Sequence, residues 1–306
     1  MKYTPLRILL FFVFCSVSSA NSDVRDWELV DGSTLRAELI DFDKDSGDVL
    51  LKVNDVDDLR LTVDRFSAID QAWLKEWVEF EAELTEQVQE LGGTFDHLIT
   101  NGDYPTELFV YYPSESKQSA EPLPAMILFN AGGKAARYCL RHIEAAEVSG
   151  MVIVACGTFR NTGGDDKLEA EMLARFKEVF PQILQRVKLD PKRVFMGGVS
   201  GGAWRAYHFA AFVDYPWAGI YANGGWLGGR KYYALNYPGD MRIAMVNGNQ
   251  DNAANQWIEM DSKRLMQQAT NKIRVIAFEG GHQVPPTATQ LKTFNWLLDQ
   301  EAVKSE

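Results

Sequence analysis

Three side chains suited to nucleophilic catalysis follow one another along the chain, each just beyond an apolar run. Ser200 sits in Gly198-Val199-Ser200-Gly201-Gly202 behind Val194-Phe195-Met196, and an amphipathic helical pattern begins at once. Asp251 closes Asn247-Gly248-Asn249-Gln250-Asp251 behind an apolar stretch over 243–246. His282 lies in Glu279-Gly280-Gly281-His282-Gln283-Val284-Pro285 behind another over 273–278. A serine hydroxyl is a poor nucleophile until a base takes its proton, and an imidazole does this near neutral pH. A carboxylate on the other ring nitrogen fixes the tautomer and stabilises the imidazolium that forms. Each residue also has a plainer reading. Ser200 could occupy an inert glycine-rich turn, Asp251 could be a turn or helix-capping acid, and His282 a solvated loop histidine. Asp240 is the substitute acid, but it precedes its strand and so falls at the wrong edge of a sheet.

The glycines around Ser200 have a steric reason. A residue at the tip of a sharp strand-to-helix turn leaves no room for side chains at Gly198 and Gly202. The same turn leaves N–H groups unpaired at the helix start, so Gly201 can donate to a developing oxyanion. A second donor is expected from Asn130-Ala131-Gly132-Gly133, behind the strand expected over 125–129. Ala131 is the first choice there and Gly132 the reserve. The segment over 224–233 carries Trp226, Tyr232 and Tyr233, which could wall a substrate pocket or simply pack on the surface. His97, His142 and His208 have no second ligand at metal spacing, so packing roles are expected, with no metal and no cofactor.

What must hold these residues is an alternation of strands and helices. Strands are expected over 107–112, 125–129, 151–155, 194–196, 217–222, 243–246 and 273–278. Helices are expected over 135–146, 167–187, behind Ser200, 254–268 and 287–298. Such a series builds a mainly parallel sheet covered on both faces, whose functional loops gather at the carboxyl ends of the strands. Every candidate above lies at such an end.

The N-terminal part reads differently. Residues 1–20 carry Lys2 and Arg7, a short apolar core and Ser18-Ser19-Ala20, the pattern of an export signal, too short for a permanent membrane anchor. Phe14 before Cys15 disfavours lipoprotein processing, so an exported protein is expected, periplasmic or extracellular, with no integral membrane segment after signal removal. Residues 21–66 alternate as short strands, with Leu35, Ala37 and Leu39, then Val49, Leu51 and Val53, then Leu59, Leu61 and Val63 sharing faces. They predict a small antiparallel, SH3-like barrel. Over 67–92 a helix follows, with Trp73, Trp77, Phe80, Leu84, Val88 and Leu91 on one face and Glu76, Glu79, Glu83, Glu86 and Glu90 on the other. It links the barrel to the larger unit over 93–306.

Two resemblances accompany these readings. Leu189-Asp190-Pro191-Lys192-Arg193 leading into Gly198–Gly202, with the Asp251 and His282 loops in the same order, resembles the α/β-hydrolase superfamily. The likeness covers about 106–300 and is closest to the polyhydroxybutyrate-depolymerase and feruloyl-esterase-like branch. It implies a Ser200–His282–Asp251 triad acting on a small ester or an ester-decorated polymer, of acetyl, feruloyl or short polyester type. Many relatives carry His-Gly where this chain has Asn130-Ala131. A peptidase of the same fold, or a catalytically degenerate binding protein, are the alternatives. The barrel, through Trp27-Glu28-Leu29, Asp31-Gly32 and Leu61-Thr62-Val63-Asp64-Arg65-Phe66, resembles the Sla-one homology domain, which implies a peptide partner; packing or surface tethering is the plainer role.

The 306-residue chain is 46% hydrophobic and 24% charged, the balance of a globular protein, with room for one large α/β unit and a small one. Its formal net charge of −11 argues against a nucleic-acid partner. Cys139 and Cys156 remain beyond the signal. Export permits a disulfide between them, and burial as apolar fillers is the alternative.

Overall fold

Alternating apolar residues give strands here wherever turn residues bound them, and 3.6-residue patterns give helices. The structure, a computed structural model, describes residues 24–43, 46–53, 58–103, 105–117, 119, 121–131, 135–157, 159, 162, 164–237, 240–267 and 272–300. The expected export signal over 1–20 and the reserve donor Gly132 lie outside them.

Four strands come first, β1 (Val24–Glu28), β2 (Thr34–Asp43), β3 (Asp48–Lys52) and β4 (Asp58–Thr62), paired antiparallel in chain order. Trp27, Ala37, Val49 and Leu51 are buried together with Phe66 and Leu74. The Trp27 indole N–H donates to Ala37 O at 3.0 Å, so this large ring is buried with its polar atom satisfied. Helix α1 (Ala68–Leu91) starts at Ser67, whose hydroxyl accepts from Asp70 N at 3.3 Å. The Asp70 carboxylate accepts Glu28 N at 2.7 Å and ties the helix to β1. Leu74 joins the small β core, and Val88, near the other end of α1, joins a core of the larger sheet. Glu86 and Glu90 are exposed; the side chains of Trp77, Phe80, Leu84, Glu76, Glu79 and Glu83 lie outside the described ones.

The larger sheet contains β5 (Thr94–Ile99), β6 (Glu107–Tyr112), β7 (Leu123–Asn130), β8 (Val152–Cys156), β9 (Leu189–Val199), β10 (Gly219–Asn223), β11 (Arg242–Gly248) and β12 (Lys272–Phe278). Their order is β12-β11-β10-β9-β7-β8-β6-β5. The β5–β6 and β6–β8 pairs are antiparallel and the others parallel. Five further helices cover it: α2 (Ala135–Ser149), α3 (Asp166–Arg186), α4 (Gly201–Phe212), α5 (Asn252–Met266) and α6 (Thr287–Leu297). Period-two alternation divides each central strand between two cores. Ile127 and Phe129 of β7 meet Phe176 of α3, Phe209 of α4 and Leu265 of α5 on one face. Met126 and Leu128 meet Ile143 of α2 and Phe294 of α6 on the other.

This alternation also separates the two cysteines. Cys156 belongs to the first core and Cys139 to the second, so the sheet lies between them and both thiols are free and buried. The disulfide alternative is thereby corrected in favour of apolar filling.

Two strands differ from expectation. β9 begins at Leu189 rather than at 194, because Leu123 pairs with Leu189 while Ala125 pairs with Val194. The intervening Asp190–Arg193 segment bulges out, where Pro191 needs no ladder donor. β5 was not expected at all. It is an outer strand in which Thr94 and Asp96 face solvent, so it lacks the continuous apolar run of its buried neighbours.

Candidate active site

Ser200 follows β9 directly and has φ 57° and ψ −119°, a backbone conformation that residues with a Cβ rarely adopt. Its N–H donates to Asn223 O at the end of β10 (2.8 Å), which fixes the tip of the turn. A Cβ on Gly202 would lie 1.9 Å from Phe129 O, and one on Gly198 would lie 2.2 Å from the same oxygen. The two glycines therefore let α4 start against the end of β7. That approach brings Gly201, the first residue of α4, near the segment carrying Ala131, which follows β7.

Asp251 is the N-cap of α5, and one carboxylate oxygen accepts Ala254 N at 3.1 Å. The other oxygen lies 2.7 Å from His282 Nδ1. Only 2% of Asp251 is exposed, so the bond is shielded from solvent on the acid's side. The capping and the imidazole-holding readings thus describe one residue rather than two alternatives.

His282 reaches this acid because the loops after β11 and β12 lock together. Asn249 N donates to Phe278 O (2.8 Å), Gln250 N to Gly280 O (2.9 Å), and Gly280 N to Asn249 Oδ1 (3.2 Å). Asn247 turns the other way, accepting Gly224 N at 3.2 Å and donating to Asn255 Oδ1 at 3.2 Å. A Cβ at Gly224 would come within 3.2 Å of both Asp251 Oδ2 and His282 Nδ1, so a glycine there gives the pair its space. The Asn247–Gln250 loop is therefore a hydrogen-bonded frame for the acid and the imidazole. Asp240 precedes β11 and is exposed, at the opposite edge from Asp251.

Ser200, Gly201 and His282 line one cavity of about 430 Å³. Among the described hydrogen bonds none joins Ser200 Oγ to His282; the imidazole's bond is to Asp251. Such contacts are often long before substrate is bound. Trp226 and Tyr232 line the cavity. Tyr233 is not among the lining residues: its hydroxyl donates to Asp261 Oδ1 of α5 at 2.8 Å. Its place is behind the wall rather than in it.

Three contributors were invisible in the sequence. Trp257 of α5 lines the cavity with its ring centroid 4.6 Å from that of Trp226, and Trp204 of α4 packs edge-on to Tyr232 at 5.6 Å. Their positions on helices following the serine and the aspartate are the only sequence signal that could have found them. Glu169 of α3 forms part of the wall and is held by buried Arg205 of α4 and by the Thr162 hydroxyl. The guanidinium balances its charge, so the cavity presents a neutral pair rather than a naked carboxylate.

The remaining histidines have structural surroundings. His97 Nε2 lies 3.0 Å from Glu107 Oε1 with its ring stacked on Phe109. His142 is buried beside Tyr221 and Phe294. His208, 7% exposed, packs against Trp204 and Phe212. Burial first, then the charges of Arg205 and Lys231, lower its pKa to about 4. Among the described residues no helix is long and apolar enough to cross a membrane.

No family model matches the chain, and no curated protein matches it in sequence. Solved structures do resemble it. An esterase, LipW, from Mycobacterium marinum superposes with a TM-score of 0.54 at 16% identity, over 73% of this chain and 87% of that one. An S-formylglutathione hydrolase from Staphylococcus aureus gives 0.53 at 13% identity, over 67% and 96%. A thermophilic esterase from Thermogutta terrifontis gives 0.51 at 17%, over 70% and 95%. The likeness establishes that the large sheet and its helices have the α/β-hydrolase fold.

Proposed function

We propose that this chain is a serine hydrolase of carboxylic esters that works through Ser200, His282 and Asp251. The observation that carries the reading is the 2.7 Å bond from buried Asp251 to His282, made at the cavity that Ser200 enters from a strained turn. His282 takes the Ser200 proton as Oγ attacks the ester carbonyl and returns it to the departing alcohol, leaving an acyl-enzyme. A water activated by the same imidazole then releases the acid. Gly201 N–H, with an N–H from Ala131 or Gly132, stabilises the oxyanion.

A cavity of about 430 Å³ walled by indole and phenol rings suits acetyl, feruloyl or short polyester groups. The N-terminal pattern supports export, so the esters would be met outside the cytoplasm, free or attached to a polymer. The small β region is read as an SH3-like module for a peptide or surface partner. A second reading, a catalytically silent scaffold that binds through this module, is favoured by one observation, the missing Ser200–His282 hydrogen bond.

Covalent labelling by a fluorophosphonate decides between them. Labelling of the wild type that disappears in folded Ser200→Ala and His282→Ala supports the hydrolase. A folded wild type that takes no label overturns it in favour of the scaffold.

A further inference from the structure

Helix α5 does two jobs at once. Its N-cap, Asp251, holds the imidazole, and one to three turns later the same helix holds the cavity wall. Trp257 faces Trp226 with ring centroids 4.6 Å apart and planes 35° from parallel. One turn on, Asp261 is fully buried, its two oxygens accepting Leu227 N and the Tyr233 hydroxyl, each at 2.8 Å. Arg264 Nε donates to Tyr233 O beside it. Trp226 comes just before the first anchor point, Leu227, and Tyr232 just before the second, Tyr233, and both rings line the cavity.

A buried carboxylate with two donors from one loop is costly to place and stiff once satisfied. Burial raises the Asp261 pKa, and the two donors oppose that shift. What the carboxylate fixes is the distance between the loop and α5, and hence the spacing of the two indoles. Trp226 is 37% exposed, so one large ring stands at the cavity mouth. Offset indoles at a cavity mouth offer a flat apolar face to a planar ring.

We infer that Trp226 and Trp257 form a stacking wall for a ring on the substrate, and that Asp261 is the residue that positions this wall. The inference rests on the ester-hydrolase reading of the same cavity and narrows it to esters that carry an aryl or other flat ring.

The test compares phenylboronic acid with n-butylboronic acid as reversible protectants against fluorophosphonate labelling of the full chain. The wild type should favour the phenyl compound by about tenfold or more, the range of a shaped apolar pocket. Asp261→Ala should lose most of that preference, read as the ratio of the two protection constants so that any change in its unprotected labelling rate cancels. Asp261→Asn should keep it, since its amide can still accept Leu227 N–H and donate to the Tyr233 oxygen. Tyr233→Phe, which removes one anchor, serves if Asp261→Ala does not fold and should fall between. Equal protection of the wild type by both acids, or an unchanged preference in folded Asp261→Ala, overturns the inference. If the wild type takes no label, the hydrolase reading fails separately, and the paired-indole circular-dichroism couplet judges Asp261. A couplet absent in Trp226→Phe, Trp257→Phe and Asp261→Ala but present in Asp261→Asn supports the positioning role; one retained in Asp261→Ala refutes it.

Discussion

Asp251 grips His282 Nδ1 with one carboxylate oxygen and the N-terminus of α5 with the other, so the acid's two tasks are set by a single rotamer. Substitution can separate them. Asparagine caps a helix about as well as aspartate, whereas alanine costs about 1 kcal/mol at such a position. Asp251→Asn should therefore melt near the wild-type temperature while ester hydrolysis falls steeply, on the order of 10⁴-fold if the imidazole is held in the wrong tautomer. Asp251→Ala should lose activity and stability together. Near-wild-type hydrolysis by Asp251→Asn would remove the acid from the mechanism.

Ser200 makes a second separation available. Its φ of 57° with ψ of −119° costs a residue with a Cβ on the order of 1–3 kcal/mol, partly offset in comparison with glycine by glycine's freer unfolded chain. Ser200→Ala and Ser200→Gly should both be inactive, but the glycine variant should be the more stable by about 1 kcal/mol. Urea denaturation of the pair measures this directly. Equal midpoints would mean that the strain only matches glycine's unfolded-chain cost, and a more stable alanine variant would mean that the turn stores no strain.

How much of this could be read from the chain differs between elements for physical reasons. That Ser200, Asp251 and His282 gather at one edge was legible because each follows a buried strand, and parallel strands bring their carboxyl ends to one edge whatever fills the connections. Trp226 and Tyr232 were legible as aromatics in a loop at that edge. Tyr233 was not, because neighbours in an irregular loop can point anywhere; its hydroxyl answers to Asp261, 28 residues away. Trp204, Trp257 and the Glu169–Arg205 pair lie on helices whose rotation about their axes depends on tertiary packing. β5 was missed because an outer strand needs only one good face, and β9 was read short because Pro191 marks a bulge within a strand as readily as its start.

The cysteines carry a chemical prediction. Cys139 and Cys156 lie on opposite faces of the larger sheet, and burial raises both thiol pKa values far above the ordinary range. In a Cys15→Ser chain, a soluble aromatic disulfide reagent should titrate neither thiol in the native protein and both after denaturation. Reducing agent should leave the melting temperature unchanged. A reductant-sensitive melt would show that the thiols do meet.

His208 supplies a pH dependence whose sign is fixed by its surroundings. The ring is packed among Trp204, Phe212 and Tyr232, and its Nδ1 has no hydrogen-bond partner. Glu169 Oε2 lies 3.8 Å away, but that carboxylate already pairs with Arg205. Burial, Arg205 and Lys231 hold the folded-state pKa at about 4, against 6.5 for the free side chain. Between those values the unfolded chain carries a proton that the folded chain refuses. Stability from this group is therefore full above pH 6.5 and is lost as the pH falls towards 4. His208→Phe keeps a ring among the same neighbours and removes the titration. Between pH 6.5 and 4 the wild type should lose melting temperature faster than His208→Phe, on top of the carboxylate titration common to both. Parallel curves across that window would place the His208 pKa at its ordinary value and mean that the ring opens to solvent.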